Sequence, residues 1–161
     1  GILFRDITPM LQNTLAFTSA VDRLREHFDP SDFDVIVPVE SRGFLFGAPL
    51  AYQMKKPLVP VRKAGKLPAD TLSASYETEY GEATLQMHRD ALSGGEQVLL
   101  LDDLIATGGT FLAAASLVRQ SGADVYEAAA IIDLPDLGGS QQMQDTGIPT
   151  YTLCAFAESE R

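Results

Sequence analysis

Two adjacent aspartates, Asp102 and Asp103, follow an apolar run in the stretch VLLLDDLIATGGT, residues 98–110. Neighbouring carboxylates repel each other, so their position directly after a predicted buried strand needs a physical reason. Three uses fit such a pair: binding a metal ion, accepting hydrogen bonds from sugar hydroxyls, or capping the amides of the following loop. The aspartates alone leave all three uses open.

The residues that follow the aspartates narrow this choice. The segment ATGGT carries no bulky side chain, so its backbone amides can approach a ligand closely. A helix is predicted to begin near Thr110, and its unpaired amides and positive dipole end favour an anion. Such a cradle binds phosphate, and carboxylates beside a phosphate indicate a sugar phosphate with the acids on the ribose hydroxyls. The cradle consists of Ala106, Thr107, Gly108, Gly109 and Thr110.

Apolar strands alternate with amphipathic or small-residue helices along the chain. Strands are predicted in FDVIVPV, KPLVPV, VLLLD, VYEAAAIID and TYTLCAF, and helices in TLAFTSAVDRLREHF, FLFGAPLAYQM and TFLAAASLVRQ. A short segment punctuated by glycines, between the last two strands, is predicted to be helical. This alternation predicts one α/β domain over residues 1–161, with a mainly parallel sheet flanked by helices.

Ligands of such sheets bind beyond the carboxyl ends of the strands. This rule brings together the loops after Val39, Val61 and Leu101. The segment SASYETEYGEATLQMH departs from the alternation and is predicted to be an irregular or hairpin excursion with Gly81 near its tip. It is either a mobile flap over the site or a surface hairpin.

The charge distribution limits the partners of the chain. A net charge of −10 argues against non-specific binding to nucleic acid or to an anionic membrane, and no apolar stretch is long enough to span a bilayer. Arg62, Lys63 and Lys66 form one cationic cluster, which either binds a small anion or is a solvated turn. The single cysteine, Cys154, excludes an internal disulfide, suits a reducing and hence cytoplasmic location, and is predicted to pack within a strand.

Common nucleotide-binding motifs do not explain the candidate site. The sequence contains neither the P-loop pattern nor the glycine fingerprint of dinucleotide-binding folds. His27 and His88 have no metal-ligand spacing and are interpreted as structural. The residues by themselves therefore predict an α/β protein that binds a ribose phosphate.

A resemblance makes this prediction more specific. VLLLDDLIATGGT closely resembles the signature of type I phosphoribosyltransferases for 5-phosphoribosyl 1-pyrophosphate (PRPP). GILFRDITPML, ESRGFLFGAPLA, VRKAGKLP and SYETEYGEATLQMHRDAL are similar, in order, to the base-site segment, pyrophosphate loop, basic loop and flap of members that use adenine. The resemblance implies the type I phosphoribosyltransferase fold, with a flexible flap and a small N-terminal hood that binds the base.

The resemblance also implies a reaction and its partners. A ring nitrogen of adenine displaces pyrophosphate from C1 of PRPP and forms AMP, which is a step of purine salvage. Mg²⁺ is expected to be carried by PRPP and pyrophosphate, without direct protein ligands. In related enzymes the basic loop reaches across a two-fold interface, which implies a homodimer.

Individual roles follow where this sequence matches the motifs of the family. Glu79 is the expected acid/base group, and Tyr80 is expected to close the flap. The implied PRPP-binding residues are Asp102, Asp103, Ala106, Thr107, Gly108, Gly109, Thr110, Ser41, Arg42, Gly43, Arg62 and Lys66. Lys63 is the member of the basic cluster given the least weight. The implied base-binding residues are Leu3, Phe4, Arg5 and Leu104, with Phe4 stacking on the base.

Two other functions compete with this one. A phosphoribosyltransferase for hypoxanthine, guanine or xanthine would share the PRPP loop and differ in GILFRD and in the flap. A non-catalytic PRPP-sensing regulator would be expected to add a basic DNA-binding segment, which this acidic chain does not show, and Glu79 favours catalysis. Family members usually carry a helical segment ahead of the position of Gly1, whereas this sequence begins inside the base-site motif. Absence of that segment would be expected to affect the base pocket and the local dimer contacts but not the PRPP site.

Overall fold

The structure, a computed structural model, describes residues 6–157. In chain order its elements are α1 (Thr8–Gln12), α2 (Thr14–His27), β1 (Val35–Pro38), α3 (Arg42–Met54), β2 (Arg62–Lys63), β3 (Thr71–Thr78), β4 (Gly81–His88), β5 (Gln97–Leu101), β6 (Leu104–Ile105), α4 (Gly109–Gln120), β7 (Asp124–Asp133), a 3₁₀ turn (Pro135–Leu137), α5 (Gly139–Asp145) and β8 (Thr150–Ala155). The helices predicted from the sequence are all present, although α3 begins two residues earlier than predicted.

A parallel sheet forms the centre of the fold. β1 pairs with β5, β5 with β7, and β7 with both β6 and β8, and each of these pairs is parallel. Side chains of β5 alternate between two cores: Val98 and Leu100 face the core shared with α4, whereas Leu99 and Leu101 face the one shared with α2 and α3. Because both faces of β5 are covered, its four buried residues, 98–101, are all apolar. The predicted α/β fold is confirmed.

The strand predicted in KPLVPV is wrong as a regular element. The segment makes only two isolated bridges with β1, Ile36 to Leu58 and Val39 to Val61, before β2 begins at Arg62. Backbone hydrogen bonds join the segment to β1 on both sides of a gap, because Pro38 of β1 has no amide hydrogen to donate to the carbonyl oxygen of Val59. The segment nevertheless runs beside β1 and delivers the basic loop to the carboxyl edge of the sheet.

The predicted hairpin excursion is a regular antiparallel pair, with β2 as its third strand. β3 and β4 pair from Thr71–His88 to Thr78–Gly81, which places Gly81 at the tip as expected. Leu72, Leu85 and Met87 are buried in the core that also contains residues of α4. The base of the hairpin is thus anchored to the domain, while its tip extends beyond the sheet.

Two further predictions concern the ends of the described region. Cys154 lies in β8 as predicted but is exposed, so its interpretation as a packing residue is wrong; its Sγ lies 3.5 Å from the carbonyl oxygen of Ile131.

The predicted N-terminal hood falls partly outside the described residues, which begin just ahead of α1. No helix within residues 6–157 is both long and apolar enough to cross a bilayer.

Candidate active site

The aspartate pair lies between β5 and β6, two strands that pair in succession with the same neighbouring strand, β7. Leu101 of β5 pairs with Ala129 of β7, and Leu104 of β6 pairs with Ile132 of the same strand. Between them the carbonyl oxygen of Asp103 accepts hydrogen bonds from the amides of Ile131 and Ile132, at 3.1 and 3.0 Å. The sequence did not predict that the strand resumes, because LI is too short to show a period.

The two carboxylates occupy different electrostatic environments. Asp103 is only 2% exposed, and the Nε of Arg42 donates to its Oδ2 at 2.5 Å. The amide of Asp103 donates to Oδ1 of Asp102 at 2.7 Å. Burial raises the pKa of Asp102 well above its usual value, and repulsion from Asp103 raises it further against the smaller effect of Arg42. Adjacency therefore yields one ion-paired carboxylate and one carboxyl group that favours protonation.

The predicted phosphate cradle surrounds a cavity of about 180 Å³. Gly108 adopts φ +89°, a left-handed conformation that favours glycine, and α4 begins at the next residue. The start of α4 thus contributes amides and a positive dipole end to the cavity. The residues that line the cavity are Arg42, Asp102, Asp103, Leu104, Ala106, Thr107, Gly108, Gly109, Thr110 and Phe111. The residues predicted to bind the sugar and those predicted to bind the phosphate therefore line one cavity.

The phosphate loop, which comprises residues 106–110, packs against Gly139, a glycine that was not singled out from the sequence. A Cβ on Gly139, the first residue of α5, would lie 2.4 Å from the carbonyl oxygen of Ala106 and 2.6 Å from the amide nitrogen of Gly108. The amide of Gly139 also donates to the carbonyl oxygen of Ala106 at 3.0 Å. The close approach of α5 therefore fixes the path of the phosphate loop. The only sequence signal was the glycine pair in LGGS.

Replacing Gly139 with Ala is expected to displace the loop, because the new methyl group would overlap backbone atoms that cannot rotate away. We expect the free energy of unfolding to fall by about 1–3 kcal/mol and PRPP to stabilise the variant less than the parent protein. Thermal denaturation with and without PRPP measures both effects. Ser140→Ala, one residue along the same helix, is the control; equal PRPP-induced shifts in both variants would show that Gly139 does not support the loop.

The predicted pyrophosphate loop lies beside the cavity at the start of α4. α3 begins at Arg42, and a Cβ on Gly43 would lie 2.7 Å from the carbonyl oxygen of Leu101, so only glycine lets the helix approach the end of β5 so closely. A second cavity of about 220 Å³ is lined by Glu40, Ser41, Arg42, Lys63, Tyr76, Asp102 and Thr110. Arg42 lines both cavities and can therefore contact anionic groups in either.

Arg62 and Lys66, the two residues of the basic loop that are predicted to bind PRPP, both contact the carboxylate of Glu40. The Nε of Arg62 donates to Oε2 of Glu40 at 3.1 Å, and the ammonium group of Lys66 donates to Oε1 of the same carboxylate. Lys63, given the least weight from the sequence, lines the second cavity. Glu40 itself was missed, because a single glutamate after a strand carries no signal of its partners.

The flap and the phosphate loop enclose an open cleft of about 630 Å³. Its lining comprises Tyr76, Glu77, Thr78, Glu79, Tyr80, Thr107 and Thr110. Tyr80 is 97% exposed at the hairpin tip. The flap base is close to the loop, since a Cβ on Gly109 would lie 3.2 Å from Cδ2 of Tyr76. The structure thus places Glu79 and Tyr80 on the border of the site, and Tyr76 is a contact that the sequence analysis missed.

Part of the predicted base site lies outside the described residues. Leu3, Phe4 and Arg5 precede the described region, whereas Leu104 lines the cavity beside Asp103. Within residues 6–157, no group of three or more His, Cys, Asp or Glu side chains could hold a metal ion.

The fold and the site define a class of protein. A doubly covered parallel sheet presents a carboxylate pair, a phosphate cradle and cationic side chains at its carboxyl edge, beneath a hairpin flap. The chemistry of these groups fits a phosphorylated ribose that carries a second anionic group.

Comparisons with known proteins agree with this class and specify the family. The phosphoribosyl transferase domain family matches residues 10–153. An adenine phosphoribosyltransferase of Stutzerimonas stutzeri is 59% identical over 161 residues, which are 100% of this chain and 88% of the relative. A relative of the same name from Pseudomonas aeruginosa LESB58 is 57% identical over the same shares. The chain belongs to the phosphoribosyltransferase family, in its adenine phosphoribosyltransferase branch.

Solved structures agree with this assignment. The crystal structure of adenine phosphoribosyltransferase from Thermoanaerobacter pseudethanolicus has a TM-score of 0.91 at 45% identity, with 97% of this chain and 90% of that chain covered. The Saccharomyces cerevisiae enzyme, solved with an imino-altritol bisphosphate and adenine, has a TM-score of 0.87 at 39% identity, with 95% and 88% covered.

Proposed function

We propose that this enzyme transfers the 5-phosphoribosyl group of PRPP to adenine, giving AMP and pyrophosphate in purine salvage. The observation that carries the proposal is the single cavity that joins the Asp102–Asp103 pair to the phosphate loop at the start of α4. The full-length similarity to adenine phosphoribosyltransferases supports adenine as the base.

Each part of PRPP has a matching group in the site. The amides of residues 106–110 bind the 5′-phosphate, and Asp102 and Asp103 bind the two ribose hydroxyls. Pyrophosphate lies toward the second cavity, where Ser41, Arg42 and Gly43 begin α3. This arrangement orients C1 between the leaving group and the base, which supplies much of the rate enhancement by positioning.

The chemical step exchanges one bond at C1 for another. The bond from C1 to the pyrophosphate oxygen breaks, and the electron pair leaves with pyrophosphate. A ring nitrogen of adenine bonds to C1, and its proton passes to Glu79 on the flap. Tyr80 helps to close the flap, which excludes the water that would otherwise attack C1. Leu104 covers one face of the base, and Leu3, Phe4 and Arg5 supply the rest of its pocket.

The donor set of the site fits magnesium that arrives with the substrate. Asp103 is ion-paired with Arg42, and Asp102 favours protonation, so neither is arranged as a direct metal ligand. Hydroxyl, pyrophosphate and water oxygens are the ligands that Mg²⁺ accepts most readily. When bound, the ion would neutralise part of the charge on the leaving group.

We further propose that the enzyme is a cytoplasmic homodimer. Leu45, Tyr52 and Leu58, on α3 and directly after it, are exposed apolar side chains that a partner subunit could cover. A single cysteine suits a reducing compartment. Light scattering coupled to size-exclusion chromatography tests the dimer, and a monomer at micromolar concentration would contradict it.

The decisive test of the activity is a panel of bases. The protein is mixed with PRPP and Mg²⁺, and then with adenine, hypoxanthine, guanine or xanthine separately, while nucleotide and pyrophosphate are quantified. We expect AMP from adenine and no nucleotide from the other bases. Turnover with another base alone would establish the alternative substrate. PRPP binding without turnover of any base would favour the regulator.

A further inference from the structure

Tyr76 lies where the anchored part of the β3–β4 hairpin meets its tip, residues 77–82. The inner face of β3 carries Leu72, Ala74 and Tyr76, and all three pack in or against the core that also contains residues of α4. The residues of the tip are exposed. Tyr76 is therefore the last side chain of β3 that the domain holds before the segment that contains Glu79.

Tyr76 contacts the phosphate loop at Gly109. A Cβ on Gly109 would lie 3.2 Å from Cδ2 of Tyr76, 3.6 Å from its Cβ and 3.7 Å from the carbonyl oxygen of Glu77. These atoms all belong to β3, so the missing side chain of Gly109 leaves the space in which the Tyr76 ring packs. Gly109 is also the first residue of α4. The hairpin therefore meets the phosphate cradle at this contact.

Tyr76 also borders two of the spaces that the reaction needs. It lines the cleft that contains Glu79 and Tyr80, and it lines the second cavity, which contains Arg42 and Asp102. The cleft is where Glu79 is expected to receive the proton of the base, and the second cavity is where pyrophosphate is expected. A residue that packs on the phosphate loop and borders both spaces is placed to fix the flap relative to the substrate.

We propose that Tyr76 is a positioning residue, which couples the flap to the phosphate loop and places Glu79 at the base when a 5′-phosphate is bound. A phosphate on residues 106–110 fixes the loop, and the contact of Gly109 with the Tyr76 ring transmits that position to the tip. The inference rests on the proposed function for the identity of the ligand and for the role of Glu79. The alternative is that Tyr76 only fills space between the hairpin and α4.

The first test separates catalysis from binding in Tyr76→Ala. We expect kcat for AMP formation to fall about 10²-fold, the loss that follows when a reacting group is misplaced by about 1 Å. The Kd for ribose 5-phosphate is expected to stay within about threefold, because the amides that bind phosphate are unchanged. Tyr76→Phe keeps the ring that contacts Gly109 and is expected to retain most of the parent kcat. Leu72→Ala, on the same face of β3, is the control and is expected to lower the free energy of unfolding without lowering kcat.

The second test measures the coupling without turnover. Hydrogen exchange of the amides of residues 77–82 is followed with and without ribose 5-phosphate. In the parent protein and in Tyr76→Phe we expect the ligand to slow this exchange about fivefold or more. In Tyr76→Ala we expect no slowing, although the ligand still binds. Because this test needs neither adenine nor AMP, a failure to form AMP would reject the proposed function and leave the coupling testable.

Gly109→Ala tests the same contact from the loop. Gly109 lies in a helix, so alanine suits its backbone, and the closest atoms from other elements belong to Tyr76 and Glu77. We expect the added methyl group to displace the ring and lower kcat about tenfold in the parent protein. In the Tyr76→Ala background the methyl group has room, so we expect no further loss of kcat there.

Opposite results would overturn the proposal. Equal falls in kcat for Tyr76→Ala and Leu72→Ala would show a general loss of hairpin stability. No slowing of exchange in the parent protein, or the same slowing in Tyr76→Ala, would show that the ring does not couple the loop to the tip. Additive losses of kcat from Tyr76→Ala and Gly109→Ala would show that the two residues act separately. If Tyr76→Ala does not fold, Gly109→Ala decides, and a parent-like kcat would reject the positioning role.

Discussion

Glu79→Gln is expected to lower kcat for AMP formation by about 10²–10⁴-fold, the usual contribution of a positioned acid/base group. The amide keeps the size of the side chain but cannot accept the proton of the attacking adenine nitrogen. Glu79 lines the cleft between the flap and the phosphate loop, and it does not line the cavity that contains Asp102 and Asp103. The Kd for PRPP is therefore expected to stay within about twofold. Single-turnover kinetics and PRPP titrations measure the two quantities separately.

Glu82→Gln is the matched control for this prediction. Glu82 is an exposed glutamate just beyond the hairpin tip, in β4, and it pairs across the hairpin with Glu77. The same loss of charge there is expected to leave kcat unchanged. A fall in PRPP affinity as large as the fall in kcat would show that Glu79 acts in binding and would remove its assigned catalytic role.

Asp102→Asn is expected to stabilise the free enzyme while lowering kcat/KM for PRPP by about two orders of magnitude. Burial and the neighbouring Asp103 disfavour the Asp102 carboxylate, and Asn removes that charge while its Oδ1 can still accept the hydrogen bond from the Asp103 amide. The activity falls because hydrogen bonding from a ribose hydroxyl favours the ionised form of Asp102 in the substrate complex, and Asn cannot supply that charged acceptor in the transition state. Chemical denaturation and steady-state kinetics check the opposite signs.

The pH dependence of stability follows from the same shift. The folded protein holds a proton on Asp102 at pH values where the unfolded chain has already released it, because the folded pKa is raised. The contribution of Asp102 is thus fully present below its unfolded pKa and is lost as pH rises toward the folded value. This loss of stability with rising pH is expected to be absent from Asp102→Asn.

Asp103→Asn is the comparison variant: it breaks the ion pair with Arg42 and is expected to lower the free energy of unfolding. Equal stability changes in the two variants would contradict the different environments assigned to them.

The features predicted from the sequence are those with local physical signals. Four apolar residues before Asp102 indicated a strand covered on both faces, and the small residues that follow indicated a backbone exposed to a ligand. The hairpin tip at Gly81 was likewise predicted from nearby turn chemistry and confirmed by the pairing of β3 with β4. The family resemblance then placed these segments in one site.

The features that were missed depend on distant contacts or on backbone hydrogen bonding. Gly139 supports the phosphate loop from α5, and Glu40 holds a loop more than twenty residues away, so neither position shows its role in local sequence. KPLVPV is apolar enough for a strand, but Pro38 of the neighbouring β1 interrupts the ladder between the two segments. The unequal environments of Asp102 and Asp103 depend on Arg42, which only the fold brings to them.

A crystal structure of the enzyme with AMP would show directly where the ribose phosphate binds. We expect the 5′-phosphate on the amides of residues 106–110 and the ribose hydroxyls on Asp102 and Asp103. We also expect the adenine ring to contact Leu104. A phosphate bound elsewhere, with the cavity at the start of α4 filled only by solvent, would contradict the assignment of this cavity as the ribose phosphate site.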